Sequence, residues 1–355
     1  MHLAHFLLPP RSIYQSVRRD MKRVFITGIA GFLGAHLARK MFDEGWIVAG
    51  NDNFIGADKS NVHDFVNFFH IDCCDLTEMQ KAIADSDLVF HCAATAHEGL
   101  SVFSPSFITK NNYEASVSTF TAAINCGVKR VVFCSSMARY GNQPTPFTED
   151  MRPEPVDPYG IAKFAAEETL KVLCKVHDIE WNIAVPHNIV GEGQKYDDPF
   201  RNVISIMLNR NLQGLPSIIY GDGEQTRCFS YIDDCVSCLV KMGVDPHITS
   251  QVINIGPDEE VITINKLADL CANETGLNLP PIYYSDGRPQ EVTHASCSSQ
   301  KARKILKYET KTSVAMAIKK TADFIRKSGV KSFNYHIPIE IVNHKTPKTW
   351  TEKRI

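Results

Sequence analysis

At 355 residues, with 44% hydrophobic and 22% charged side chains, the chain has the composition of a globular protein and enough length for one large or two moderate domains. Its formal charge of −2 includes no basic block, which excludes binding to nucleic acid or an anionic membrane by electrostatics alone. The eleven cysteines follow no paired spacing, and several sit in apolar runs such as 89–92 and 132–134, so reduced, buried thiols are expected. Cys235 and Cys238 form the one Cys-x-x-Cys, in a helix-like run without a second pair or paired histidines, and no metal site is expected.

Residues 1–21 contain one short apolar patch, Phe6-Leu7-Leu8, broken by Pro9-Pro10, too short for a membrane span or a signal core. They read as an extension outside the fold, and a cytoplasmic protein is the default expectation. The first strand-like run, 24–27, leads into Gly28, Gly31 and Gly34 and then a helical pattern with Leu37, Ala38 and Met41 on one side. Glycines at this spacing let backbone amides approach a pyrophosphate at a helix N-terminus, and the third lets helix and strand pack closely. A second strand, 46–50, delivers Asp52 about 20 residues on, the place for a carboxylate on the ribose hydroxyls of a dinucleotide. That charge would repel a 2′-phosphate, so NAD is favoured over NADP.

A third strand, 65–71, runs into Asp72, suited to the adenine amino group, and Asp75 is placed to cap a helix from Leu76. A fourth, 88–92, runs into Ala93-Ala94, small enough for a cofactor to lie against. After a helix following Pro105, with Asn111 and Asn112 near its beginning, the strand 131–133 leads to Ser136 at its tip. Tyr159 and Lys163 stand four apart in a helical run, on one face. An ammonium beside the phenol favours the phenolate, and the Ser136 hydroxyl opposite can hold a substrate alcohol while Tyr159 removes its proton. Near-continuously apolar strands alternating with helices predict an α/β fold with a parallel sheet covered on both faces.

Gly28-x-x-Gly31-x-x-Gly34, Asp52, Asp72, His91-x-Ala93-Ala94, Asn112, Ser136 and Tyr159-x-x-x-Lys163 resemble, in order and spacing, the extended short-chain dehydrogenase/reductases, in particular the NAD-dependent nucleotide-sugar epimerases and dehydratases of the UDP-glucose 4-epimerase type. The resemblance runs from about residue 22 to 327. It implies a Rossmann-type doubly wound parallel sheet over 22–185, to which a strand at 251–257 returns, and a smaller α/β nucleotide-sugar domain over 186–330. The tail 331–355, with one strand-like piece at 337–342, lies beyond this core.

The resemblance further implies Ser136, Tyr159 and Lys163 as the catalytic residues. NAD contacts are implied at Gly28, Gly31, Phe32, Leu33, Gly34, Asp52, Asn53, Asp72, Cys73, Ala93, Ala94, Asn112, Tyr159 and Lys163. Ser136 and Asn188 are implied on the substrate side, with His97, Glu98 and Ser101 from the loop that lines the hexose pocket in relatives. Arg227 and Arg288 suit a diphosphate because a guanidinium donates two parallel charged bonds. Where the family usually carries an arginine ahead of that asparagine, this chain has Val185-Pro186-His187. A homodimer built from the helices around Asn111 and Lys163 is implied as well. Dehydratase relatives place an Asp-Glu pair after the catalytic Ser/Thr, decarboxylases a glutamate, and C3/C5 epimerases a cysteine two residues on. Here Met137-Ala138 stands there, so hydride return at C4, an epimerisation, is the expected fate of a 4-keto sugar.

Overall fold

The computed structural model describes residues 22–285 and 287–355. Seven strands form its main sheet: β1 (Arg23–Thr27), β2 (Ile47–Asn51), β3 (Asn67–Phe69), β4 (Leu88–His91), β5 (Arg130–Cys134), β6 (Glu180–Pro186) and β7 (Gln251–Ile255). All neighbours pair in parallel in the order β7-β6-β5-β4-β1-β2-β3, so the winding reverses between β1 and β4, where a ligand crevice opens at the strands' carboxyl ends. The strand at 251–255 pairs with β6 from Gln251 opposite Asn182 to Ile255 opposite Pro186.

Val24, Phe25 and Ile26 are all buried, because helices cover both faces and neither side chain parity meets water. On one face α1 (Phe32–Asp43) packs Leu37, Ala38 and Met41 against α6 (Ile232–Val244). On the other lie α2 (Leu76–Ile83), α3 (Ala115–Asn125) and α4 (Pro158–Val176), with Met79, Phe120 and Leu170 in a second core. Asp75 caps α2 by accepting from the Glu78 amide. Helices α5 (Val203–Leu212), α7 (Ile264–Thr275) and α8 (Val314–Ser328) pack on one another beside the strand ends.

Several elements differ from expectation. β3 keeps three of the seven residues expected over 65–71, because the Val66 amide turns back to the His63 carbonyl and the Ile71 amide to that of Phe69. The helix after Pro105 contains a π-helical turn, Lys110–Glu114. The piece at 337–342 forms no strand. Instead the amides of Glu340 and Ile341 both donate to the Phe103 carbonyl, and the Glu340 carboxylate caps the short helix Pro105–Thr109 through Ser106 and Phe107. The expected extension, 1–21, lies outside the described residues.

Among the described residues every cysteine is free, no cluster of metal-ligating side chains occurs, and no helix is long and apolar enough to cross a membrane. Cys235 and Cys238 are buried in α6, and burial pushes both thiols up.

Candidate active site

The glycine turn after β1 faces the chain leaving β4, and sterics dictate its composition. Gly28 has φ +67°, and a Cβ there would stand 2.8 Å from Ala93 Cα. A Cβ on Gly34 would reach 2.1 Å from the Gly28 carbonyl oxygen. The Thr27 hydroxyl clamps the two strand ends, accepting from the amides of Cys92 and Ala93 at 3.1 Å each while bonded to His91 Nδ1 at 2.7 Å. Beside this turn Gly28, Gly31, Asp52, Asn53, Asp72, Cys73, Ala93 and Ala94 line a cavity of about 100 Å³. Phe32, Leu33 and Gly34 line the adjoining one.

The Asp52 carboxylate accepts from the Ala30 amide at 3.1 Å and the Phe54 amide at 2.8 Å, which fixes it at the end of β2. Burial pushes its pKa up, against those backbone bonds. Asp72 is fixed likewise, accepting from Cys74 N at 2.8 Å and Asn53 Nδ2 at 3.0 Å. A bare-backbone turn at a helix N-terminus, followed by a fixed carboxylate, fits a dinucleotide. Asp52→Ala is therefore expected to weaken NAD binding about ten- to a hundredfold, the worth of one charged hydrogen bond, and to narrow the preference over NADP. Titration of both cofactors checks this, and an unchanged ratio would place the carboxylate away from the ribose.

A cavity of about 230 Å³ continues from the glycine turn and brings Ser136, Met137, Tyr159 and Lys163 together with His97, Glu98, Asn188, Asp198 and Arg201. Ser136 caps a short 3₁₀ turn at the tip of β5, its hydroxyl accepting from the Ala138 amide at 3.2 Å. Tyr159 lies in the first turn of α4, started by Pro158 and capped by Asp157, which accepts from the Gly160 amide at 2.9 Å. Burial pushes the Tyr159 phenol up, as does the charge of Glu98. Ser136 and Arg201 pull the other way.

Lys163 differs from the sequence reading. Its ammonium donates to the Cys134 carbonyl at 2.9 Å and lies 4.8 Å from the Phe133 ring centre, so it is held at the end of β5. The cation with the larger pull on the phenol is Arg201, which no motif marked. Burial lowers Lys163 itself to about 8.

The loop at 95–101 divides into roles that spacing alone did not separate. His97 is buried, its Nε2 bonded to Asp198 Oδ2 at 2.8 Å, rather than a solvated loop residue. Glu98 reaches into the catalytic cavity and also lines the next one. It is open to solvent through those cavities, yet the surrounding protein and the charge of Asp157 raise its carboxyl to about 7. Ser101 lines neither cavity. Its hydroxyl is bonded to the Glu98 carbonyl at 2.6 Å and to Asp157 at 3.2 Å, so it buttresses the cap of α4 instead of meeting a ligand. Asn112, in the π turn, also lines none of these cavities: its amide donates to the Thr95 carbonyl, the Thr95 hydroxyl and the Ile108 carbonyl. Asn112 thus acts through Thr95, which does line them.

With a carboxyl near 7 beside the phenol, the pH profile of kcat/KM should show an ionisation close to neutrality that Glu98→Gln removes. Above that pH the carboxylate raises the phenol's pKa, so in the variant the rise in kcat/KM that accompanies formation of the phenolate should begin at lower pH. Persistence of the neutral ionisation in the variant would assign it to another group.

The second cavity, about 180 Å³, shares Glu98, Asn188 and Arg201 with the first and adds Tyr220, Arg227, Phe229 and Arg288. Both expected arginines are engaged through Glu291. Arg288 is paired with it, Nε at 3.2 Å from Oε2, and lies 5.1 Å from the Tyr220 ring centre. Arg227 approaches it at 3.5 Å while donating to the carbonyls of Thr226, Val292 and Thr293. Asn188, which lines both cavities, donates to the Cys228 carbonyl at 2.9 Å.

Comparison with known proteins agrees with this arrangement. The model of the NAD dependent epimerase/dehydratase family matches residues 24–256. A UDP-glucose 4-epimerase of Mycolicibacterium smegmatis is 30% identical over 320 residues, which cover 86% of this chain and 98% of the relative. A UDP-N-acetyl-alpha-D-glucosaminuronate decarboxylase of Bacillus cytotoxicus is 32% identical over 249 residues, 67% of this chain and 76% of the relative. Among solved structures, the UDP-glucose 4-epimerase of Thermotoga maritima with UDP-glucose superposes with a TM-score of 0.82 at 29% identity, covering 86% of this chain and 99% of that one. A glycine turn against β4, a carboxylate ending β2 and a shared cavity for Ser136, Tyr159 and Lys163, together with a family match over most of the chain, make this protein a member of the NAD-dependent epimerase/dehydratase family.

Proposed function

We propose that the protein is an NAD-dependent 4-epimerase acting on a UDP-sugar. The observation that carries this reading is the turn after β5: beside Ser136 it presents Met137 to the catalytic cavity and buries Ala138. Neither side chain can transfer a proton at C5 or C6, so nothing on this turn diverts a 4-keto sugar into loss of water or carbon dioxide. The UDP moiety is the one carried by the substrates named for the three relatives above.

Ser136 orients the C4 hydroxyl, and Tyr159, as phenolate, accepts its proton and later returns it. NAD, which the glycine turn and Asp52 would hold, would supply the hydride chemistry at C4 that the side chains lack. Ser136 and Arg201 favour the anionic phenol, and Lys163, held at the Cys134 carbonyl in the same cavity, would help hold the nicotinamide end of the cofactor. Arg227 and Arg288 meet the diphosphate, with Glu291 holding both forks in place. Exposed Ile161, Val172 and Val176 along α4 support the homodimer proposed through this helix, since a lone helix face in water is not expected to be so apolar.

A second reading is favoured by one observation: Glu98, with its raised pKa, stands in the catalytic cavity and could exchange a proton at C5. Incubation with UDP-hexoses and UDP-uronic acids in D₂O, read by NMR, separates the two. The C4 epimer without deuterium at C3 or C5 is expected. Deuterium at C5, or a product that has lost water or carbon dioxide, would replace the 4-epimerase reading.

A further inference from the structure

The C-terminal segment 331–355, beyond the family match, is built into the substrate side of the molecule. Trp350 is 2% exposed and packs edge-on against Phe103 and Phe200, ring centres 6.0 and 5.4 Å apart, in a small core with Leu100 and Ile337. Its indole also contributes to the wall of the second cavity. A Cβ on Gly99 would lie 3.7 Å from the indole and 3.6 Å from Arg288 Cδ, so this glycine, next to Glu98, is held between tail and arginine. One residue earlier, the Thr349 hydroxyl bonds the phenol of Tyr220 at 2.5 Å, the ring under Arg288.

The tail also touches the catalytic cavity's frame. His336 Nε2 stands 4.0 Å from Asp198, the carboxylate that fixes His97. Ser104 Oγ donates to the Pro338 carbonyl at 2.6 Å, and Glu340 caps the next helix, so the segment is fastened along the length of the 97–109 region. A tail that merely packed would not need to meet Gly99, Tyr220 and Asp198, three positions flanking the two cavities.

We propose that this segment is part of the UDP-sugar site, with Trp350 and Thr349 as positioning residues that fix Glu98, Arg288 and Tyr220 for the nucleotide diphosphate. The inference rests on the UDP-sugar reading above, and binding rather than turnover tests it. In the full-length, NAD-loaded protein, Trp350→Ala is expected to raise the Kd for UDP, measured by calorimetry, about tenfold or more, as loss of a buried aromatic anchor does. The NAD Kd should stay within about twofold, and Trp350→Phe should restore most of the UDP affinity, because NAD binds at the glycine turn, away from the indole.

Should Trp350→Ala fail to fold, Thr349→Val removes only the hydroxyl bonded to Tyr220, and a rise in the UDP Kd of about fivefold is expected from one lost hydrogen bond. Unchanged UDP affinity in a folded Trp350→Ala protein, or in Thr349→Val if the first does not fold, would overturn the role of the tail. Wild-type protein that bound no UDP would instead overturn the substrate reading, whatever the variants did.

Discussion

Tyr159→Phe is expected to lower turnover of a UDP-sugar about a thousandfold, in the range for loss of a positioned proton acceptor, with NAD affinity unchanged. The ring is buried against Ile108 and Ala138, and phenylalanine keeps those contacts. Only the oxygen facing Ser136 is lost, and the Glu98 carboxylate in the same cavity, with its pKa near 7, is a far weaker base than a phenolate and replaces it poorly. His97 is spent on Asp198, burial holds its ring below the ordinary histidine range, and Lys163 is held by the Cys134 carbonyl. Steady-state turnover with cofactor titration checks the outcome. A variant keeping more than about a tenth of wild-type turnover would remove Tyr159 from the proton-transfer role.

The second large effect concerns stability. Arg139, in the 3₁₀ turn after Ser136, stands 3.0 Å from Glu167 of α4, with both side chains nearly inaccessible. The Ser135 hydroxyl donates to the other oxygen of the same carboxylate, and the guanidinium lies 5.3 Å from the Tyr140 ring centre. Burial raises the Glu167 pKa, and Arg139 is the main group opposing it. Removing one partner of such a pair leaves an uncompensated buried charge, so Arg139→Ala should cost about 3–5 kcal/mol. For a chain of this size that is a fall in Tm of roughly 4–7 °C, read by calorimetry. The double change Arg139→Met with Glu167→Met should recover much of it, because two apolar chains of similar volume leave no charge behind. A single variant within about 1 °C of wild type would show the carboxyl to be neutral and the pair unimportant.

The sheet was legible because both faces of its strands are covered: runs such as 24–26 and 131–133 are apolar at every position. β3 was overestimated because Phe65 and Val66 pack against the core without extending the ladder, and apolar character alone does not separate the two. The glycine turn, Asp52, Ser136, Tyr159 and Lys163 are recoverable from spacing, since each sits at a strand end or one helical repeat from another. What spacing could not tell was side-chain direction. Ser101 and Asn112 turn to protein partners, Lys163 turns to a carbonyl, and Arg201 enters the cavities from an irregular stretch with no period to betray it. The tail's role was not legible for a related reason: its contacts come from isolated residues, Ile337 and Trp350 in one small core and Glu340 at a helix start, with no period between them.

The return of β7 to the sheet has a consequence for how the chain is made. A nascent chain that has emerged only as far as β6 presents Ile183 and Val185 on an open edge, without the ladder that Val252 and Asn254 later supply opposite them. The roughly 65 residues between the two strands, including α5 and α6, must be synthesised before that edge can close, several seconds at ordinary elongation rates. During that interval the open β6 edge of the sheet is a template for another strand. A fragment ending at β6 should therefore associate with itself or with chaperones, and the smallest stretch able to fold cleanly reaches past residue 255.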